Sequence, residues 1–188
     1  MSKFNVSNTP ESEKDLAQTP EWFIYSLTRL LGISIFELDV CALDATSKGS
    51  YCFSLAERGE NALELDWDLW NWLNPPFSNI LPFLQKAVEQ SGKNFINTAA
   101  IMPNNPETAY VRYAKEWADT IIEMPFRLNF LRPDGSQFVS KKTGKPSGPQ
   151  FSCLVAIFTP LGLKRPAASM YHDFRIGYDI QSTIKRDA

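Results

Sequence analysis

Asn74-Pro75-Pro76-Phe77 follows directly after the apolar stretch 69–73. Because proline has no N–H and a fixed φ, Pro75 and Pro76 end the ladder of a strand and hold a stiff turn whose carbonyls face outward. The side-chain oxygen of Asn74 and the carbonyl of Pro75 can then both accept hydrogen bonds from one exocyclic amino group. Phe77 can stack on the ring that carries this group. The stretch therefore predicts a site for a planar aromatic amine at the end of a strand.

Length and composition indicate one domain with a high aromatic content. The chain has 188 residues, of which 44% are hydrophobic, and this is enough for one sizeable core but short for two domains. It contains 13 Phe, 5 Trp and 6 Tyr, which favours an aromatic interior or a face for flat ligands. The net charge is −2 and the pI about 5.5, so any attraction to nucleic acid has to come from a local basic patch.

The three cysteines, Cys41, Cys52 and Cys153, are odd in number and have no metal-ligand spacing, and the chain has one histidine. This pattern is typical of free thiols in a reducing compartment, and we expect no metal site. No apolar run approaches the ~18 residues of a membrane span, and no signal peptide is recognisable at the N-terminus. We therefore expect a soluble protein of the cytoplasm with no membrane association.

Strand and helix patterns alternate along the chain, which is typical of an α/β protein with a mostly parallel, twisted sheet flanked by helices. Thr19 is the expected N-cap of the first helix, with Pro20 at its first position, and Gly32 ends it. The strand 33–40 follows. It places Asp39 near its carboxyl end, where open α/β sheets bind their ligands.

Apolar runs and turn residues predict the remaining elements. They are helices over 79–90, ended by Gly92, and over 107–117, and strands over 95–102, 120–124, 126–131 and 151–158. Residues 1–18 are polar and lack an apolar period, so we expect a loose N-terminal arm before a domain over 19–163. Weak periodicity leaves the C-terminal tail, 164–188, without assigned structure.

The stretch 132–150 is rich in Gly and Pro and lies between the last two predicted strands. A structureless stretch of this length in a compact domain is usually functional or mobile. Residues 124–149 carry a net charge of +4 in a chain whose total is −2. We therefore expect this loop to bind the phosphates of a nucleic acid and to become ordered on it, through the cations Arg132, Lys141, Lys142 and Lys145.

Four short boxes stand in an order that resembles the phage-type DNA adenine-N6 methyltransferases, and the resemblance covers about residues 19–160. These enzymes have a Thr-Pro opening, an Asp-Val-Ala box and an Asn-Pro-Pro-Tyr/Phe box. The corresponding stretches here are Thr19-Pro20-Glu21-Trp22, Leu38-Asp39-Val40-Cys41-Ala42, Leu65-Asp66-Trp67 and Asn74-Pro75-Pro76-Phe77. Two departures are visible: Asp39 is not followed by a Gly-rich turn, and Phe stands at position 77 where Tyr is common.

The resemblance implies a Rossmann-like methyltransferase fold that binds S-adenosylmethionine and transfers its methyl group to N6 of a flipped adenine in double-stranded DNA. It implies that Asn74, Pro75, Pro76 and Phe77 hold the target base. It also implies a set of cofactor-binding residues, namely Thr19, Pro20, Trp22, Asp39, Ala42 and Asp66. Oligomeric state is left open, with a monomer slightly favoured.

Several other functions compete with this one. Methylation of cytosine C5 is excluded because it commonly uses a cysteine that follows proline, and none of the three does. Cytosine-N4 methylation shares the acceptor geometry, and the same box reads a planar amino group in RNA or in an amide. A catalytically silent nucleic-acid-binding module of the same fold also stays open. So does an unrelated α/β domain in which Asp39 is a hydrogen-bonded acid at a strand end.

Overall fold

The computed structural model describes residues 15–140, 143–146, 148–160 and 166–176, and within them strands alternate with helices. The strands are β1 (Phe36–Asp39), β2 (Gly49–Cys52), β3 (Trp70–Leu73), β4 (Asn97–Pro103), β5 (Thr120–Glu123), β6 (Cys153–Phe158) and β7 (Ala168–Tyr171). The helices are α1 (Glu21–Leu31), α2 (Leu55–Arg58), α3 (Ile80–Asn94) and α4 (Ala109–Trp117), with a 3₁₀ turn at Asp44–Thr46. The expected α/β class is confirmed.

The seven strands form one sheet in the order β2-β1-β3-β4-β6-β5-β7. The pairings β2–β1, β1–β3, β3–β4 and β5–β7 are parallel, whereas β6 runs antiparallel to both β4 and β5. The sheet is therefore mixed, and the prediction of a mostly parallel sheet was too strong. Every residue of β6 is buried. Its continuous apolar run is therefore also typical of a parallel strand, and the sequence does not reveal that β6 runs antiparallel.

Successive residues of the strands feed two hydrophobic clusters, one on each face of the sheet. Leu38 and Leu73 pack in the cluster that also holds Leu84 of α3. Phe36 and Trp72 pack in the opposite cluster, with α1. Because β1, β3 and β4 are parallel, their carboxyl ends share one edge of the sheet, which we call the carboxyl edge.

The first helix ends at Gly32 as predicted, where a left-handed conformation (φ 71°) closes it, but its start differs. Pro20, not Thr19, occupies the N-cap, and no side chain caps the helix. Pro20 is extended (ψ 144°), so the helix begins one residue later than expected. The Thr19 hydroxyl is instead buried, and no described residue forms a hydrogen bond with it.

The predictions of one helix end and of one strand were wrong. Helix α3 continues past Gly92 to Asn94, because Gly92 lies in open space and its helical conformation costs only about 1 kcal/mol; Phe95 (φ 58°) ends the helix. Residues 126–131 are not a strand of the sheet. Leu131 forms isolated bridges with Gln18 and Gln137 instead.

The C-terminal tail contributes an edge strand. Residues of β7 pair with β5, and all four are exposed. An exposed edge strand has no buried face, so the hydrophobic alternation that reveals a strand in a sequence is missing. Among the described residues, no helix is long and apolar enough to cross a membrane.

Candidate active site at the carboxyl edge

Asn74 comes directly after β3, and its two side-chain ends have different surroundings. Nδ2 donates a hydrogen bond of 2.7 Å to the carbonyl oxygen of Ala17. Oδ1 is buried and has no hydrogen-bond partner among the residues that the structure describes. Because the amide nitrogen must face the carbonyl, the orientation of the group is fixed and its oxygen is left as a free acceptor. A buried acceptor without a partner is costly and favours a ligand that can donate to it.

Phe77 closes the turn that begins at Asn74, and Pro75 in this turn is buried. The half-buried ring of Phe77 meets Phe130 at 5.5 Å and Phe151 at 6.0 Å between ring centroids, both edge to face. This arrangement suits the quadrupoles of aromatic rings. The structure therefore holds an aromatic ring in a defined place, three residues beyond the free acceptor of Asn74.

Residues 15–18, which we expected in a loose arm, lie against this turn. Gln18 and Leu131 exchange two backbone hydrogen bonds of 2.7 and 2.8 Å, and Ala17 receives the bond from Asn74. Long-range backbone pairing of this kind carries no periodic signal in the sequence, so it was not predicted. The segment 15–18 is therefore part of the candidate site.

Thr19, Pro20 and Trp22 follow this segment. Thr19 and Pro20 are buried, and Oγ1 of Thr19 has no hydrogen-bond partner in the described part of the chain. The half-buried Trp22 ring contacts Phe23 and Phe126 at 5.8 and 5.9 Å. The start of α1 thus presents one unpaired hydroxyl and an aromatic ring.

Asp39, at the end of β1, is 2% exposed and bonded through both carboxylate oxygens. Oδ1 accepts from the Cys41 N–H at 3.3 Å and Oδ2 from the Lys48 N–H at 2.9 Å. Burial raises the pKa of Asp39 to about 6, and the two N–H donors oppose this shift. A Cβ at Gly49 would lie 2.6 Å from the Asp39 nitrogen, so the loop 41–48 can close onto β1 only with glycine there.

Lys48 and Glu21 were missed by sequence reasoning. They form an ion pair between the loop after β1 and the first turn of α1, with the Lys48 side chain 9% exposed and that of Glu21 77% exposed. Ala42, in the same loop, is half-buried and donates its N–H to the Phe53 carbonyl at 3.2 Å. Lys48 and Glu21 are 27 residues apart in the chain, and no sequence motif marks their ion pair.

Asn104 is another residue that sequence reasoning did not single out. It follows β4 at the carboxyl edge, and its N–H donates to the Ser152 carbonyl at 2.8 Å. Its side-chain Oδ1 is buried without a hydrogen-bond partner among the described residues. The sequence signal that could have indicated this position is the run Pro103-Asn104-Asn105-Pro106, whose residue types favour a turn after a strand.

Asp66 is not brought together with the other candidate residues. Its side chain is 85% exposed and lies near the carboxyl-terminal end of α3, where it accepts from Gln90 at 3.1 Å and lies 4.0 Å from Lys93. Asp66 precedes β3 whereas Asn74 follows it, so the two lie toward opposite ends of that strand. The expectation that Asp66 borders the same site as Asp39 finds no support in this geometry.

In the basic loop 132–150, some of the described residues form isolated backbone pairs. Leu131 pairs with Gln137, and Val139 pairs with Pro146, so the described residues form two consecutive turns. The Arg132 guanidinium lies over the Phe138 ring at 5.4 Å, and Lys145 is exposed. Lys141 and Lys142, the other two predicted DNA contacts, lie outside the described residues.

The described residues contain three free cysteines and no cluster of metal ligands. Cys41, Cys52 and Cys153 are free thiols, and burial raises the pKa of Cys153 to about 12. Within the described part of the chain, no group of three or more His, Cys, Asp or Glu side chains could hold a metal ion.

Comparison with known proteins identifies relatives of the whole described fold. A family model described as DNA N-6-adenine-methyltransferase (Dam) matches residues 6–173. A protein of Haemophilus phage HP1 (strain HP1c1), named DNA N-6-adenine-methyltransferase, is 28% identical over 174 residues, which are 90% of this chain and 94% of that protein. A protein of the same name from Escherichia phage T1 is 28% identical over 152 residues, which are 76% of this chain and 61% of that protein.

Proposed function

This chain belongs to the DNA N-6-adenine-methyltransferase family and methylates N6 of adenine in DNA; we propose that it takes the methyl group from S-adenosylmethionine and acts on an adenine flipped out of double-stranded DNA. The mixed seven-stranded sheet is consistent with a Rossmann-like methyltransferase fold. The proposed compartment is the cytoplasm of a bacterial host, in keeping with the phage relatives.

The free Oδ1 of Asn74 is the observation that carries this proposal. The N6 lone pair of adenine is conjugated into the purine ring, which makes the nitrogen a weak nucleophile. Hydrogen bonds from the amino group to Oδ1 of Asn74 and to the Pro75 carbonyl favour a pyramidal nitrogen whose lone pair is directed out of the ring plane. Catalysis is then mainly positioning and electrostatic stabilisation.

Phe77 supplies the surface for the flipped base. Taking an adenine out of the duplex costs a few kcal/mol, and stacking on an aromatic side chain offsets about 1–3 kcal/mol of this. The ring contacts of Phe77 with Phe130 and Phe151 hold it in place before the base arrives. Replacement of Tyr by Phe at this position removes a hydroxyl but keeps the stacking face.

The start of α1 and the loop after β1 fit a polar, positively charged cofactor. The buried Thr19 hydroxyl has an unused donor and acceptor, and the Asp39 carboxylate lies at the same edge of the sheet. We assign Thr19, Pro20, Trp22, Asp39 and Ala42 to this side of the site. S-adenosylmethionine would supply a methyl group already activated on a sulfonium, so the protein has no need of a nucleophilic side chain.

DNA would approach along the basic loop. Arg132 and Lys145 supply cations on the described part of this loop, and the sequence adds Lys141 and Lys142. Cations of this kind bind phosphates independently of base sequence and release condensed counterions. A monomer suffices for this arrangement, since the residues assigned to the site belong to one chain.

Product analysis tests the proposal. Purified protein is incubated with methyl-labelled S-adenosylmethionine and unmethylated genomic DNA or RNA, and the digests are analysed by mass spectrometry, with Asn74→Ala as control. We expect N6-methyladenine in double-stranded DNA only, and none with the variant. N4-methylcytosine as the product, or no labelled product together with no calorimetric binding of S-adenosylmethionine, would overturn the proposal.

A further inference from the structure

Asp15 and Ser78 are 63 residues apart in the chain, yet one carboxylate binds both polar groups of one serine. The Ser78 N–H donates to Asp15 Oδ1 at 3.2 Å, and the Ser78 hydroxyl donates to Asp15 Oδ2 at 2.7 Å. Ser78 follows Phe77, the last residue of the turn that holds the target base. Asp15 thus binds the segment 74–78 at its far end.

The same segment of chain binds the near end of this turn. Two residues after Asp15, the carbonyl of Ala17 accepts the hydrogen bond from Nδ2 of Asn74 at 2.7 Å. One residue further, Gln18 exchanges two backbone hydrogen bonds with Leu131. Ser78, Asn74 and Leu131 therefore each bind one residue of the segment 15–18. The contacts with Ser78 and Asn74 place this segment beside both ends of the turn 74–77.

These contacts decide which way the Asn74 amide faces. An asparagine side chain can be flipped at little cost when both ends meet similar partners, but here one end meets a carbonyl and must be the nitrogen. The position of the Ala17 carbonyl thus sets the direction of Oδ1. That carbonyl keeps its position only while residues 15–18 keep their register against residues 74–78.

We propose that Asp15 is a positioning residue for methyl transfer: by binding Ser78 it holds residues 15–18 in register with the turn, so that Ala17 orients the Asn74 amide toward the adenine amino group. This inference rests on the proposed function of Asn74. Asp15 touches no reacting atom, and no motif marks it. Since small displacements of reacting groups lower rates steeply, the effect of losing Asp15 belongs to the chemical step.

Single-turnover methylation at saturating S-adenosylmethionine and DNA tests this role. Asp15→Ala removes both bonds to Ser78 and is expected to lower the rate at least about tenfold, ~1.4 kcal/mol of barrier. Calorimetric affinity for S-adenosylmethionine should stay unchanged. Asp15→Asn should recover most of the rate, because its oxygen can accept from the Ser78 N–H while its NH₂ donates to the Ser78 hydroxyl.

Two further variants make the test specific. Ser78→Ala loses only the hydroxyl bond, so it should show a smaller decrease in rate than Asp15→Ala, and it also serves if Asp15→Ala does not fold. Asp68→Ala is the matched control, because this carboxylate also accepts from a backbone N–H, that of Leu69 at 2.7 Å, and from a hydroxyl, that of Tyr51 at 3.0 Å, but it lies before β3 and not beside Asn74. We expect wild-type rates for Asp68→Ala.

The outcomes separate this inference from the function on which it rests. If the wild type forms N6-methyladenine and Asn74→Ala does not, yet Asp15→Ala turns over like the wild type, only the role of Asp15 is overturned. A slow Asp15→Asn would also overturn it, because the charge and not the bonding to Ser78 would then matter. If Asn74→Ala is itself active, the proposed function fails first.

Discussion

The carboxyl ends of β1 and β3 lie side by side in the sheet, and each is followed or occupied by a polar side chain with a buried oxygen: Asp39 is 2% exposed, and Oδ1 of the half-buried Asn74 is buried. Asp39 at the end of β1 uses both oxygens to accept backbone N–H groups of the loop 41–48. Asn74 after β3 uses its nitrogen to donate to Ala17 and leaves a buried oxygen unpaired. Each Asp39 oxygen therefore has a hydrogen-bond partner, whereas the Asn74 oxygen has none among the described residues.

This difference separates a group that builds the site from a group that acts in it. A buried carboxylate that accepts two N–H groups stabilises the loop around it, and any contact with a ligand uses the lone pairs that remain. A buried amide oxygen with no partner is destabilising in the free protein and gains its partner when a donor binds. We therefore expect changes at Asp39 to alter stability and cofactor affinity, and changes around Asn74 to alter the rate.

The largest expected effect is the pH dependence of the contribution that Asp39 makes to the stability of the fold. The pKa of Asp39 is raised from 3.8 to about 6, so the folded protein holds this proton more tightly than the unfolded chain does. Stability from this group is therefore present below pH 3.8 and is lost as the pH rises to about 6. Between these limits the loss amounts to about 3 kcal/mol, at 1.36 kcal/mol per unit.

Asp39→Asn cannot ionise and is the reference for this effect. Denaturant unfolding of both proteins at pH 4 and pH 7 should show the wild type losing stability relative to the variant as the pH rises. The other titrating groups cancel in the difference. A difference in the free energy of unfolding that does not change with pH would mean that Asp39 is ionised as easily in the folded as in the unfolded chain.

A smaller effect, on the rate of methylation, is expected at Phe77. Phe77→Ala removes the stacking surface, worth about 1–3 kcal/mol per base, and should lower single-turnover methylation by roughly ten- to a hundredfold. Phe77→Tyr keeps the ring and should stay active, so it is the matched control. An Ala variant as fast as the wild type would show that the target base is held elsewhere.

The smallest expected effect is a change in DNA affinity on mutation of the basic loop 132–150, which follows neither β1 nor β3. If Lys145 contacts one phosphate, Lys145→Ala should weaken DNA binding for all sequences and flatten the log–log salt dependence of affinity by roughly 0.9. Lys93→Ala is the control, because Lys93 is paired with Glu89 at 2.6 Å beside Asp66. Equal slopes for the wild type and Lys145→Ala would place the phosphate contacts on another surface.

The sequence was sufficient for the parts of the fold that have a local signal. The existence of a strand with Asp39 near its carboxyl end, the end of α1 at Gly32 and the turn at Asn74 all follow from β-branched runs, glycine and proline, whose preferences are fixed by their own backbone sterics. The strand is shorter than predicted, Phe36–Asp39 instead of 33–40. The position of Asn74 after a strand therefore needed no tertiary information.

The rest depended on contacts between distant residues. The contact of Asp15 with Ser78 and that of Ala17 with Asn74 span 63 and 57 residues, and hydrogen bonds of this kind leave no periodic pattern. Thr19 was predicted as a cap because its residue type suits one, whereas the extended Pro20 displaces it into the interior. The antiparallel direction of β6 was hidden because both of its faces are buried.

Parallel measurement of cofactor affinity and single-turnover rate for Asn74→Ala and Asp39→Ala tests the central claim most directly. Titration calorimetry without DNA gives the affinity for S-adenosylmethionine, and rapid quench at saturating cofactor and DNA gives the rate. We predict that Asn74→Ala binds the cofactor like the wild type and loses at least about 100-fold in rate, whereas Asp39→Ala binds it more weakly and keeps its rate. An Asn74→Ala enzyme that retains more than about a tenth of the wild-type rate, a barrier change under ~1.4 kcal/mol, would contradict the account.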